Sequence, residues 1–304
     1  MTKVLITGGL GQDGVILSKI YLKKKYNVFV LIKKKSTNFF LKKVIYKIND
    51  LSKKDKITKD LRIIKPSIII HLASHNNSYI KRNNKDSYRV NYYQNFRNTK
   101  NLLDSIIDLK LKIKFIFAGS SLMYPDFSKK IISEKDIFKS NDYYGRYKID
   151  SHKYIMSLKN KYNLNATTVI LFNHDSMFRN KKFLIPRLVD AFKRKDISYI
   201  ESIYKFNISG DFSHAEDICN GIYKLSIFKK NIDKIILSSG KRLFINDVIN
   251  YLERLYNVKI NKKISRNSVV CKTIGSNLFA KKVINYKIKK DIFLVCDEII
   301  SSYS

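Results

Sequence analysis

Val4-Leu5-Ile6-Thr7-Gly8-Gly9-Leu10-Gly11-Gln12-Asp13-Gly14 is the stretch that decides the fold. Three apolar residues run directly into a glycine-rich turn, and apolar residues then recur at three- and four-residue spacing from Gly14 to Lys25. A strand, a turn and a helix in that order open a dinucleotide-binding sheet. Gly8, Gly11 and Gly14 allow a tight turn, close approach of backbone to a pyrophosphate and tight helix packing, and the free amides that follow attract an anion. The chain has only 10 glycines, and four of them fall between residues 8 and 14. Gln12 and Asp13 sit inside the same loop and belong to the expected cofactor contacts.

Outward from this unit, short apolar runs alternate with longer amphipathic stretches, which predicts a parallel sheet covered by helices. The strand candidates are 4–6, 28–32, 44–48, 68–72, 115–118 and 168–172, and the helix candidates between them are 14–25, 88–109 and 143–162. The expected class is therefore α/β, a Rossmann-type doubly wound parallel sheet. After about residue 174 the regularity weakens, and Pro186 opens a helix through Lys193 because proline suits a first helical turn. The reading divides the chain into a cofactor-binding domain, 1–173, and a smaller substrate lobe, 174–304, interleaved with it.

The second strand ends at Ile32 and is followed by Lys33-Lys34-Lys35-Ser36. An NAD-selective site places Asp or Glu there for the ribose hydroxyls, whereas cations suit a 2′-phosphate. Lys33 and Lys34 thus point to NADP, with NAD the second choice. Asp50-Leu51 follows the third strand, where a carboxylate can accept a hydrogen bond from the adenine amino group. Leu72 and Ala73 leave the fourth strand on the same cofactor edge.

Tyr144-Gly145-Arg146-Tyr147-Lys148 puts a phenol and an ammonium four residues apart, on one face of a helix. A phenol with a pKa of about 10 becomes a usable acid or base nearer neutrality when a cation stabilises the phenolate. Lys148 can also bond the nicotinamide ribose, and Ser120 or Ser121, just past the fifth strand, can hold a substrate hydroxyl or ketone. In a chain with 20 tyrosines the spacing alone carries little. Its place after a glycine-loop half-sheet gives it meaning.

Composition narrows the classes. The formal net charge is +35, but the lysines are spread along the whole chain rather than gathered on one segment with aromatics between them, so nucleic acid is not the expected partner. No run of about 18 uncharged apolar residues occurs, which argues against a membrane span, and the N-terminus enters a strand pattern rather than a signal sequence. A cytoplasmic protein is expected. Cys219, Cys271 and Cys296 show no CxxC or nearby histidine spacing, so we expect buried free thiols and no metal site.

With these residues in place, the sequence resembles the extended short-chain dehydrogenase/reductases (the NAD-dependent epimerase/dehydratase group), and among them most closely the GDP-mannose 4,6-dehydratases. The supporting segments are TGGLGQDG at 7–14, HLASHNNSY at 71–79, VNYYQNFRNTKNLL at 90–103, GSSLMY at 119–124, YYGRYK at 143–148, LFNHDS at 171–176 and GDFSHAEDI at 210–218. Gln-Asp in the glycine loop and Phe-Asn-His-Asp-Ser are the discriminating parts. The resemblance implies a nucleotide-diphosphate sugar, GDP-linked, as substrate, contacts to it from Asn173, His174 and Arg179, and a homodimer or homotetramer.

Three departures qualify what the resemblance implies. The family places Glu two residues after the Ser or Thr that follows the fifth strand, as the base at sugar C5; that position here is Leu122, which cannot move a proton. His75 and Asp142 are the substitutes in view. The family arginine that helps neutralise the diphosphate aligns with Gly210, so Lys181, Lys182 or Arg187 would have to compensate. The chain is also shorter than the typical dehydratases. The expected function is hydride transfer at sugar C4 with Tyr144 as acid and base; the alternatives are an NADP(H)-dependent reductase of a GDP-4-keto-6-deoxyhexose and a non-catalytic nucleotide-binding homologue.

Overall fold

The computed structural model describes residues 1–33, 40–75, 85–125, 131–265 and 270–303. Lys34 and Lys35 lie outside them. The opening run forms β1 (Lys3–Thr7), the glycine turn follows, and α1 (Gln12–Lys23) starts two residues earlier than the apolar spacing predicts. The further strands β2 (Asn27–Ile32), β3 (Val44–Ile48), β4 (Ile68–His71) and β5 (Lys114–Ala118) fall where the apolar runs place them. The strand Ala166–Leu171 begins two residues ahead of its predicted start.

These join a seven-stranded sheet in the order Lys234–Leu237, Ala166–Leu171, β5, β4, β1, β2, β3, with every neighbouring pair parallel. Parallel strands buried on both faces read as unbroken apolar runs because each face needs its own apolar side chains. Val4 and Ile6 enter one core with Leu17 and Tyr21 of α1 and with Ile218 and Ile222 of the helix Ala215–Ser226. Leu5 points the other way, into a core with α2 (Lys54–Ile64), α3 (Lys85–Asp108) and α4 (Tyr143–Tyr162). The fold is the Rossmann-type doubly wound α/β architecture.

Lys234–Leu237, the edge strand beside Ala166–Leu171, is absent from the expected set, because four apolar-rich residues among lysines give no periodicity to read. Pro186 is the third residue of α5 (Leu184–Lys193) rather than its first. A separate apolar cluster forms around Leu188 and Phe192 of α5, Ile249 and Leu252 of the helix Ile245–Tyr256, and Val295 of the helix Ile292–Ser301. Cys219 and Cys296 are buried free thiols as expected, whereas Cys271 is half-buried.

Candidate active site

The sheet order reverses direction between β1 and β4: from β1 the chain moves to β2 and β3, then returns to the other side. Ligands of open parallel sheets bind beyond the carboxyl ends of the strands at such a reversal. A cleft of about 810 Å³ opens there. Its walls come from the loops after β1, β4, β5 and Ala166–Leu171, so residues far apart in sequence meet because their strands end side by side.

Most of the predicted site residues line this cleft: Gly8, Gly11, Gln12, Asp13, Gly14, Leu72, Ala73, Ser120, Ser121, Tyr144, Lys148, Asn173, His174 and Arg179. Gly8 has φ +72°, and a Cβ there would stand 2.8 Å from the Ala73 amide nitrogen, so only glycine fits the close approach of the two loops. A Cβ on Gly14 would collide with Gly9 Cα at 2.3 Å. Gly11 differs: its nearest obstacle is the Gly8 carbonyl at 3.4 Å, leaving bare backbone facing the cleft. No side chain caps α1, so its first amides remain open to an anion.

The two segments whose resemblance is most discriminating bond to each other. Gln12 donates to the His174 carbonyl at 2.9 Å and accepts from the Ser176 hydroxyl at 3.0 Å. His174 faces the Phe172 carbonyl through Nδ1 at 2.6 Å and the Asp13 carboxylate through Nε2 at 3.0 Å. Burial opposes charge on both, but their mutual attraction and hydrogen bond outweigh it, holding the imidazole above and the carboxyl below its ordinary pKa. Both ring nitrogens are thereby committed. Asn173, on the cleft wall, donates to the Asp211 carbonyl at 3.2 Å.

Asp142 caps α4, accepting from the Tyr144 and Gly145 amides at 2.8 and 3.1 Å, and so fixes the helix start that presents Tyr144. Tyr144 is half-buried and Lys148 is buried. The Lys148 amine donates to the Ala118 carbonyl at 2.5 Å and stands 5.4 Å from the centre of the Tyr144 ring. Burial pushes Lys148 down to about 7 and Tyr144 up to about 12. Lys148 is not among the groups that lower the phenol in this structure: its amine is turned to the β5 carbonyl. Ser120 accepts from the Leu122 amide at 3.2 Å, so its own hydroxyl proton is free for the cleft.

Several predicted contacts lie elsewhere. Lys33 is exposed at the end of β2, and Asp50 at the end of β3 accepts from the Ser52 amide at 2.9 Å. That bond, with the charge of Lys33 and Lys53, holds the Asp50 carboxyl below its ordinary value despite some burial. Leu51 is buried beneath them. Arg187 does not line the cleft: it is exposed on α5 and stacks on Tyr199 at 4.4 Å. Lys181 pairs with Asp190 at 3.0 Å outside the cleft, and Lys182 is exposed. His75 is exposed and outside the wall as well.

A cation that was not expected enters the cleft in addition to Arg179 and Lys148: it is Lys272, with Thr273 next to it. Backbone bonds place it there: the Ser209 amide donates to Val270 and the Lys272 amide donates to Ser209, each at 2.8 Å. A Cβ on Gly210 would meet Lys272 Cβ at 3.3 Å, so the lysine crosses directly over this glycine. Sequence reasoning missed Lys272 because a pairing across about 60 residues leaves no local signal. It also passed over Ser74, although Ser74 follows Leu72 and Ala73 in the quoted motif and lines the same wall.

Among the described residues no group of three metal-ligating side chains occurs, and no helix is long and apolar enough to cross a membrane. The fold is shared with the UDP-glucose 4-epimerase of Thermotoga maritima, with a TM-score of 0.85 at 15% identity over the full length of both chains. GDP-mannose 4,6 dehydratase 1 of Arabidopsis thaliana is 26% identical over 94% of this chain and 85% of its own. The GDP-6-deoxy-D-talose 4-dehydrogenase of Aggregatibacter actinomycetemcomitans is 29% identical over 73% of this chain and 69% of its own. A family model described as GDP-mannose 4,6 dehydratase matches residues 5–292, a span that takes in six of the seven strands whole, most of β1, and every wall of the cleft. On that match, the chain belongs to the GDP-mannose 4,6-dehydratase family.

Proposed function

We propose that this protein transfers hydride at C4 of a GDP-linked sugar, as an NADP(H)-dependent oxidoreductase that does not carry out the family's elimination of water. The observation that carries the reading is the wall of the cleft itself. Tyr144, Lys148, Ser120 and Ser121 gather on it, and Leu122, 39% exposed, occupies the same turn where the resemblance calls for a base.

The bare backbone at Gly11, the uncapped start of α1 and the close Gly8–Ala73 approach fit a dinucleotide pyrophosphate. Lys33 at the end of β2, with no acid next to it in the sequence, favours the 2′-phosphate of NADP. When bound, the nicotinamide supplies the hydride acceptor or donor. Everything else is done by the chain. Ser120 and Ser121 hold the C4 oxygen, and Tyr144 takes its proton on oxidation or returns it on reduction. Lys148, buried against the Ala118 carbonyl, packs under the phenol ring and is the residue set to meet the nicotinamide ribose. Lys272 and Arg179 are the cleft cations for the sugar diphosphate.

Elimination needs a base for the C5 proton. Among the described residues lining the cleft, the carboxylates are Asp13 and Asp142. Asp13 is spent on His174, and one oxygen of Asp142 is spent on capping α4. The similarity to a GDP-6-deoxy-D-talose 4-dehydrogenase supports an enzyme that works on C4 alone. Incubation with NADP and a GDP-6-deoxyhexose, or with NADPH and its 4-keto form, tests the reading. Nicotinamide absorbance should change with either, and no change with any GDP-linked sugar would refute it.

A further inference from the structure

The stretch that carries Lys272 is the outer member of three that pair side by side. The strand Leu243–Phe244 runs antiparallel to the strand Ser209–Gly210, with Phe244 opposite Ser209 and Leu243 opposite Gly210. Ser209 in turn bridges to Cys271, its amide on the Val270 carbonyl and its carbonyl on the Lys272 amide, each at 2.8 Å. Arg242 stands just before the strand on the far side, and its side chain crosses the middle stretch. Its Nη1 donates to Ser209 Oγ at 2.9 Å and to the Lys272 carbonyl at 3.1 Å, one hydrogen for each bond. Both backbone polar groups of Lys272 are thereby held, one by Ser209 and one by Arg242.

A second grip lies three residues on. The Gly275 amide donates to the buried Asp211 carboxylate at 3.2 Å, and that carboxylate also accepts from the Ser239 amide and hydroxyl and from the Gly240 amide at 2.7 to 3.1 Å. Gly240, with φ +73°, makes the left-handed turn that lets Arg242 follow these donors directly. The turn 239–242 and Asp211 thus fix the ends of 272–275, and Lys272 and Thr273 line the cleft between Asp211 and Arg242. A lysine ammonium rides on four methylenes, so where it can reach is set by its backbone. Gly210, over which Lys272 crosses, has no side chain to brace it. Resting on the reading of Lys272 as a cation for the sugar diphosphate, we propose that Arg242 is a positioning residue for that subsite. It sets the Lys272 backbone from outside the cleft wall, through a charge-assisted bond that holds a carbonyl more firmly than a neutral donor does.

GDP itself is the probe, and its binding is measured by calorimetry at fixed salt in the native protein, in Lys272→Ala, in Arg242→Met and in the double variant. Lys272→Ala should weaken GDP binding roughly tenfold and Arg242→Met about fivefold. The double variant should bind about as weakly as Lys272→Ala alone, rather than roughly fiftyfold more weakly than native, because a residue acting only through Lys272 has nothing left to position. Loss of the arginine charge acting through space would instead add to the loss of Lys272, so the two causes separate. Arg242→Lys, in which one nitrogen can still donate to both acceptors, should bind GDP within about twofold of native. If Arg242→Met does not fold, Arg242→Gln, shorter and uncharged, takes its place. Native-like GDP binding by the folded Arg242 variant overturns the proposal, as do losses that add in the double variant. An unchanged affinity in Lys272→Ala refutes the diphosphate role of Lys272, and the proposal falls with it; a loss there without coupling to Arg242 leaves that role standing and removes Arg242 alone.

Discussion

His174 and Asp13, 161 positions apart in sequence, form an ion pair with Nε2 3.0 Å from the carboxylate and side chains only 8% and 17% exposed. Because Nδ1 meets the Phe172 carbonyl, both nitrogens face acceptors, and only the doubly protonated ring satisfies both. The protonated ring thus ties the glycine loop after β1 to the segment after the strand Ala166–Leu171. Its raised pKa means that its contribution to stability is complete below about 6.5 and is lost as pH rises through the higher folded value. The lowered Asp13 contributes above about 3.8 and fades as pH falls through its lower folded value. His174→Gln should cost about 3 kcal/mol between those limits, the low end for breaking a buried pair because Asp13 opens on the cleft. Denaturant titrations from pH 4 to 9 should show the gap between native and variant narrowing at the alkaline end; a gap that widens there contradicts the assignment.

Cofactor preference turns on the end of β2. One charge-assisted contact to a 2′-phosphate is worth roughly 1.5 to 3 kcal/mol, and exposure of Lys33 puts it at the low end, about tenfold in affinity. Calorimetry at fixed salt should find NADP(H) bound more tightly than NAD(H), and Lys33→Glu should remove or invert the difference. Equal dissociation constants in the native protein would defeat the prediction.

Tyr144→Phe keeps the ring against Tyr147 and Lys148 while deleting the hydroxyl proposed to exchange a proton with O4. Turnover should fall by roughly 100-fold or more with the fold intact, the usual scale of acid-base catalysis. Near-native turnover in a folded variant would show that the tyrosine is a packing residue.

Lys272 gives a different signature. A cation that holds the diphosphate acts on bound substrate and transition state alike, so Lys272→Ala should raise KM about tenfold and leave kcat nearly unchanged. The same substitution at Lys181, which is paired to Asp190 outside the cleft, should change neither. A fall in kcat with KM constant would remove Lys272 from the substrate site.

Six of the seven sheet strands, the glycine loop and the Tyr144–Lys148 spacing are legible because each is set by neighbours within about ten residues: apolar runs for buried parallel strands, helical spacing for α4, glycines where backbone must approach backbone. Lys272 and the Asp13–His174 pair depend on strands ending together, which no window of sequence contains. The resemblance flagged Gln12-Asp13 and Asn173-His174 as discriminating without saying that they bind each other. The four-residue spacing brings Lys148 beside Tyr144, but the Ala118 carbonyl, which the spacing does not reveal, decides where the amine points.

Elimination is the step on which the function turns. Loss of water across C5 and C6 requires removal of a C5 proton made acidic by a C4 ketone, and general-base catalysis of such a step contributes about 100 to 10,000-fold. Leu122 supplies no base, so GDP-mannose should give little or no 4-keto-6-deoxy product. Leu122→Glu should restore measurable product. The backbone of that turn is already fixed, by the Leu122 amide on Ser120 Oγ and the Tyr124 amide on the Ser121 carbonyl, and position 122 is exposed enough to carry a carboxylate without a folding penalty. Asp142→Asn separates the remaining possibility: its amide oxygen still caps α4, but it no longer accepts a proton. Mass spectrometry of the product decides. Rapid loss of water by the native protein, abolished by Asp142→Asn, would make Asp142 the missing base and return the enzyme to the dehydratases; rapid loss in both would clear Asp142 and put the base elsewhere.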